Sequence, residues 1–369
     1  MKATATIIAA MTALAATAQT QNVEVVEYRP APGQFVNTMP EGAAGDSETL
    51  MCQRCTEQLA DGNPVHLGSF GGYITVKFDH PIENKRGSDL RICGNAFYST
   101  SDPVYGKATI GGSIEPGIVY VGVGDTPETA EWYELAGSEY YTRERHNFTI
   151  TYHRPTAESG AHSLPYSTYD EYLPWECSWT DADGTPRDST GWHMKNSFHS
   201  QSYWPAWIDA DQLTFSGGCL PCNAVNYGTD ENPYWVLYRY SADAYGYADA
   251  SLNTDDYSTF DLDWAVDNNG NPVQLTHCNF IRVMSATLQL CSWLGETSTE
   301  VASFTDLHLT DKYDDNPIVI TPRKRPTAIA TIKAGTTHGT QAYDLAGRRV
   351  HNMLPGHIYI IGGRKTLAH

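Results

Sequence analysis

The sequence predicts an all-β protein: an antiparallel β-sandwich, one large or two fused, with one short N-terminal helix and a small set of C-terminal strands. Three observations predict it. Glycine, proline and tyrosine are abundant, at 31, 20 and 23 of 369 residues, a composition that favours strands and turns over helices. Short strand-like runs recur, each closed by turn residues. No regular helical pattern separates them, and strands that follow one another without helices pair antiparallel.

Residues 1–18 read as an export signal. Lys2 gives the positive start, an apolar run extends from Ala3 to Ala16, and Ala16-Thr17-Ala18 is a small-x-small cleavage site. The run is too short for a good membrane span. No cysteine lies near the cleavage site, so a lipid anchor is not expected, and no other apolar run reaches spanning length. The mature chain is therefore expected to be exported and soluble, with no membrane span. Residues 19–46 form a lead-in rich in proline and glycine. A helix is expected from Ser47 to Ala60, with Ser47 as N-cap, Glu48 in the first turn and Asp61-Gly62 as the stop. It places Cys52 and Cys55 on one face.

The first strand of the body is expected at Tyr73–Phe78, where Tyr73, Thr75 and Lys77 alternate with Ile74, Val76 and Phe78. Asp79-His80-Pro81 ends it, since proline cannot continue a ladder. Further strands are expected at 117–123, 147–152, 212–215, 235–240, 258–266 and 280–284. Asp267-Asn268-Asn269-Gly270-Asn271 reads as a tight turn between strands, Asn-Gly being a strong hairpin signal. It resembles part of a calcium loop but lacks the closing acid of an EF-hand. The sandwich body is expected to span 47–320 and a separate basic tail 321–369.

Charge divides the chain the same way. Residues 322–369 carry eight Lys/Arg and one Asp, a net +7, whereas residues 19–321 carry 15 basic and 42 acidic residues, a net −27. An acidic body repels nucleic acid and anionic membranes. It is compatible with calcium, neutral sugars or a cationic ligand.

Eight cysteines in an exported chain suggest disulfides. Cys278 with Cys291 is the preferred pair, because they flank runs that could form a hairpin. The two C-x-x-C pairs, Cys52/Cys55 and Cys219/Cys222, are too far apart for a compact zinc ribbon.

Three stretches carry a resemblance: LGSFGGYITVKFDHPIEN with GNAFY, EPGIVYVGVG and EWYELAGSEYY; TFSGGCLPCNAV with YWVLYRYSADAYGYAD; and STFDLDWAVDNNGNPVQL with FIRV and CSWLGETSTEV. In order and spacing they resemble a family of exported Bacteroidota proteins usually called cell surface proteins. The resemblance covers most of residues 45–310 and implies a jelly-roll-like first half of galactose-binding character. Some related surface proteins are encoded beside outer-membrane importers, including those for cobalamin, which implies ligand capture for import. The tail, with AYDLAGRRV and PGHIYIIGG, is similar to sorting domains of type IX secretion.

For metal, Asp79, Asn95 and Glu115 stand out, each beside a strand-like run. Convergence of three oxygen-bearing side chains at one end of the sandwich would suit calcium; turn chemistry is the alternative. For a ligand, Trp204, Trp207, Tyr245 and Tyr247 are the candidates. Exposed rings stack on a sugar ring or a corrin face, although most of the aromatic residues fit a core. Tyr245 and Tyr247 sit in a glycine-containing segment that suggests exposure. No G-x-S-x-G elbow and no H-E-x-x-H occurs, and paired acids such as Asp261 and Asp263 are what an acidic chain shows by chance. The expected function is cell-surface binding of a carbohydrate or cobalamin-like ligand without catalysis. A secreted glycoside hydrolase or lyase, or a structural or adhesive surface protein, are the alternatives.

Overall fold

The structure, a computed structural model, describes residues 21–99, 110–156, 172–181, 183–195, 201–291 and 294–324, together with short strands at 163–164, 167–168, 342–343, 349–350, 358–361 and 364–367. It divides into two compact units, 1–323 and 324–369. The expected export signal at 1–18 lies outside the described residues. No described helix is long and apolar enough to cross a membrane.

The first unit is all-β and antiparallel. Its largest sheet runs in the order Val23–Arg29, Tyr73–Phe78, Phe280–Ser285, Gly117–Val123, Glu131–Leu135 and Ala265–Val266, with Tyr247–Ala248 also paired to Gly117–Val123. Period-2 alternation decides what each face buries. Ile74, Val76, Val119, Val121, Ile281 and Val283 enter one core with the helix residues Met51, Cys55 and Leu59. Tyr73, Tyr120 and Met284, from the opposite face, pack into a second core. That second core is covered by a four-stranded sheet, Pro186–Met194, Tyr172–Thr180, Arg145–His153 and Gln212–Cys219. The central sheet is thus buried on both faces, and this is the sandwich.

Among the polar residues on the second face, Arg282 donates to Glu27 Oε2 at 2.6 Å and to Thr75 Oγ1 at 2.9 Å. Its guanidinium lies 3.9 Å from the Trp132 ring centre and 4.5 Å from that of Tyr73. Stacking and charge-assisted hydrogen bonds together make burial of this cation affordable in free-energy terms.

The helix forms at Glu48–Ala60, and the Ser47 hydroxyl accepts from Leu50 N at 3.2 Å. Such a cap contributes about 1 kcal/mol. The strands at Tyr73–Phe78 and Gly117–Val123 stand where expected, and those at Arg145–His153, Gln212–Cys219 and Phe280–Ser285 contain the expected spans. The 267–271 turn is also present. Gly270 has φ +72 and its N–H donates to Asp267 O, while Asp267 Oδ1 accepts from the N–H groups of Asn269 and Asn271.

Three readings are corrected. The lead-in contains Val23–Arg29, the edge strand of the main sheet. The single strand at 258–266 is broken into Thr259–Phe260 and Ala265–Val266 around the 3-10 turn Leu262–Trp264, because the Asp261 side chain caps that turn by accepting from Asp263 N. All eight cysteines are free. Cys278 is buried in the helix-side core, with Asp89 and Asp306 nearby, whereas Cys291 lies near Glu115 and Glu296, so the expected pair does not meet. Cys55 and Cys219 belong to different cores, which separates the two C-x-x-C pairs.

The second unit, 324–369, holds a four-stranded antiparallel sheet in the order Arg349–Val350, Ala342–Tyr343, Ile358–Ile361 and Arg364–Leu367.

Candidate functional site

The carboxylate-rich centre of the first unit is assembled from the stretches that carry the resemblance. GNAF supplies Asn95, EPGIV supplies Glu115, YGYAD supplies Asp249, and GETSTE supplies Glu296 and Glu300. Oxygens of Glu115, Asp249 and Glu300 all lie within 4.8 Å of one another. Asp249, held at φ +53, accepts from the N–H groups of Asn95 (2.9 Å), Ala96 (2.8 Å) and Glu300 (3.1 Å). Gly94 must be glycine here, since a Cβ would sit 2.3 Å from Asp249 Oδ1. Glu115 accepts from Ser298 N and the Ser113 hydroxyl. Glu300 Oε1 lies 2.6 Å from His66 Nε2, and the Glu300 carboxyl also meets the side chains of Asp249 and Asn95. Glu296 accepts from the Ser298 hydroxyl and from Gln34 N.

Burial and mutual repulsion dominate the electrostatics. Burial, then the charges of Glu300 and Asp249, raises the Glu115 pKa well above the carboxylate range. Burial, then Asp249, does the same for Glu300. Burial raises Asp249 to about 6 against the backbone N–H groups that lower it, and lowers His66 to about 4. A divalent cation would reverse this logic, because its own charge favours the ionised carboxylates. Asn95 is exposed, and its side chain bonds Glu300, so the centre lies close beneath the surface.

Two of the three residues expected to hold calcium, Asn95 and Glu115, therefore converge. Asp79 does not. It is exposed at the end of Tyr73–Phe78 and bonds His80 Nδ1 at 2.6 Å and Asn22 Nδ2 at 3.1 Å. The missing members, Asp249, Glu296 and Glu300, were not legible as ligands because they are distant in sequence from the pair they join.

The aromatic residues expected to meet a ligand are all buried. Trp204 packs in the second core beneath Arg154, and Trp207 stacks on Tyr28 at 6.1 Å. Tyr245 packs edge-on to Trp264 at 4.9 Å and accepts from Arg323 N at 2.7 Å. The Tyr247 hydroxyl accepts from Glu139 N at 2.8 Å. Gly246, at φ +83, lies so close to Gly137 that a Cβ would approach its Cα to 2.6 Å. The glycine that suggested an exposed loop in fact presses this segment onto the body.

An exposed aromatic groove exists nearby. Arg143, Cys222, Asn223, Ala224, Val225, Tyr227, Tyr238, Arg239 and Tyr240 line an open depression of about 260 Å³. One wall is the hairpin of Ala224–Asn226 with Trp235–Tyr238. Tyr227 is 43% exposed, and its hydroxyl accepts from Tyr238 at 2.9 Å, which leaves its own hydrogen to donate outward. Arg143 lies 5.0 Å from the Tyr240 ring centre and donates from Nε to Glu139 at 2.6 Å, with half its side chain in solvent. Asn223 ties the groove to the carboxylate centre: its Nδ2 donates to Ile114 O at 2.7 Å, the residue before Glu115.

No protein-family model matches this chain, and no curated protein matches it either.

Proposed function

We propose that this is an exported cell-surface ligand-binding protein that holds a saccharide in the Tyr227–Tyr240 groove, with calcium at the Glu115–Asp249–Glu300 centre. The observation that carries the reading is the groove itself. It offers the half-exposed Tyr227 ring for stacking, the Arg143 guanidinium lying over Tyr240, and the Tyr227 hydroxyl for hydrogen bonding, a composition that suits a site that orients a polar ring. No carboxylate is among its lining residues, so a glycosidase acid pair has no place in it. At about 260 Å³ its size suits one sugar ring better than a corrin. Calcium belongs at the carboxylate centre because the donors are oxygens, the hard ligand set that ion takes. It would fix the Ile114–Glu115 segment to which Asn223 anchors the groove wall.

The export signal, the acidic body and the resemblance to Bacteroidota cell surface proteins support a surface location. The same resemblance supports delivery of the ligand to an outer-membrane importer and a sorting or attachment role for the 321–369 tail. The test is to incubate the pure protein with a glycan array and with cobamides. Retention of a glycan without product is the result this reading requires. Retention of cobamides only would replace the saccharide, and turnover would replace binding by catalysis.

A further inference from the structure

A second centre lies away from both sites, where the chain passes from the central sheet into the four-stranded sheet. Glu134 stands on Glu131–Leu135, Glu144 immediately precedes Arg145–His153, and His146 stands within that strand. A ligand atom from each lies within 4.8 Å of the others. The Glu144 side chain is fully buried, and its close neighbours are the other two members of the cluster, His146 Nδ1 at 3.2 Å from Oε1 and the Glu134 carboxyl; no backbone N–H or other side-chain donor among the described residues satisfies its oxygens or Glu134 Oε1. Burying a carboxyl oxygen without a donor from the surrounding protein is costly, and here such oxygens from two adjacent segments point at one spot.

The histidine supplies the independent observation. His146 Nε2 lies 3.0 Å from Tyr140 O. A carbonyl oxygen only accepts, so Nε2 carries the hydrogen. In the neutral ring this leaves the Nδ1 lone pair facing Glu144, with Nδ1 3.2 Å from Oε1. A ring N–H donated to a backbone carbonyl while the other nitrogen faces carboxylates is the arrangement of a metal-bound histidine. The outer groups are in place as well. The Tyr120 hydroxyl bonds Glu134 and accepts from Gly218 N at 3.1 Å. A Cβ at Gly218 would stand 2.1 Å from Glu144 Oε1, so glycine is required for the carboxylate to sit there.

We propose that Glu134, Glu144 and His146 bind a divalent transition-metal ion of the zinc class. One imidazole nitrogen and two carboxylates suit zinc better than calcium, which takes oxygen ligands. His146 is 42% exposed at its side chain, which gives the ion an entry path and leaves room for a water ligand. The ion would pin the crossing between the two sheets.

The test uses the full mature chain in a Cys222→Ser background, because Cys222 is the one exposed thiol. Zn²⁺ uptake is measured by equilibrium dialysis with millimolar Ca²⁺ present. One tightly held Zn²⁺ per chain is expected, with His146→Ala weakening it at least tenfold and Tyr120→Phe weakening it about ten- to a hundredfold. Glu144→Gln keeps the buried shape and covers the case in which another variant misfolds; it should also abolish uptake. Glu128→Gln, an exposed carboxylate outside both sites, should leave it unchanged. Uptake equal in His146→Ala and the parent, uptake abolished by Ca²⁺, or no uptake would each overturn the proposal.

Discussion

Replacing His308 by glutamine should remove a buried cation between two buried carboxylates. His308 Nε2 lies 3.0 Å from Asp89 Oδ1 and Nδ1 lies 3.2 Å from Asp306 Oδ1, with the three side chains 3%, 0% and 4% exposed. Asp89 also accepts from Lys85 N and Leu262 N, so it joins the Leu90–Cys93 strand to the 3-10 turn that follows Thr259–Phe260. Burial alone would lower the His308 pKa. The hydrogen bonds to Asp306 and Asp89 and their charges outweigh burial and raise it to about 9. Against an unfolded value of about 6.5, this is a stabilisation of about 3.4 kcal/mol at low pH. Asp306 keeps a second partner in His80, whose Nε2 lies 3.1 Å from Oδ2, when His308 is replaced, so about 2–3 kcal/mol is the working figure. A raised histidine pKa stabilises fully below pH 6.5, and that stability is lost as pH rises through 9. Urea unfolding of wild type and His308→Gln at pH 6, 8 and 10 measures the difference. It should be about 2–3 kcal/mol at pH 6 and shrink toward pH 10. A difference under about 0.5 kcal/mol at pH 6, or one that grows with pH, would refute the reasoning.

Other consequences are equally concrete. Calcium at a hundredfold excess over its Kd should stabilise the first unit by about 2.7 kcal/mol, raising the melting temperature by about 4 °C over protein in chelator for a unit of this length; Glu300→Gln should show no such rise. Thiol titration of native protein should label Cys222 quickly and the other seven slowly, and unfolding without reductant should expose all eight; fewer than eight would mean that disulfides form. Gly68→Ala should destabilise by about 3 kcal/mol in urea unfolding, because Gly68 sits at φ +73 and a Cβ would lie 1.9 Å from Ala31 O.

The fold was legible where periodicity is strong. Tyr73–Phe78 and Gly117–Val123 alternate cleanly, and their alternation sorts residues into the two cores. Val23–Arg29 was hidden by the proline- and glycine-rich segment around it, although its own residues, VEVVEYR, are strand formers. Tyr172–Thr180 and Pro186–Met194 escaped because their faces are mostly polar or half-exposed. The carboxylate centre was half legible. Asn95 and Glu115 announce themselves as polar residues at strand ends, but Asp249 and Glu300 reach them only through pairing across more than 130 residues of chain. The aromatic residues misled because a tyrosine in a core and a tyrosine on a platform have the same sequence signature. Their neighbours in space decide between the two.

The most direct test of the central claim is isothermal titration of a glycan retained on the array into wild type, Tyr227→Ala and Arg143→Ala, each verified as folded by circular dichroism. Wild type should bind one equivalent and leave the glycan intact after prolonged incubation. Tyr227→Ala and Arg143→Ala should each bind at least about tenfold more weakly, the equivalent of about 1.4 kcal/mol. Unchanged affinity in both variants, or cleavage of the glycan by wild type, would contradict the assignment of the groove as a non-catalytic saccharide site.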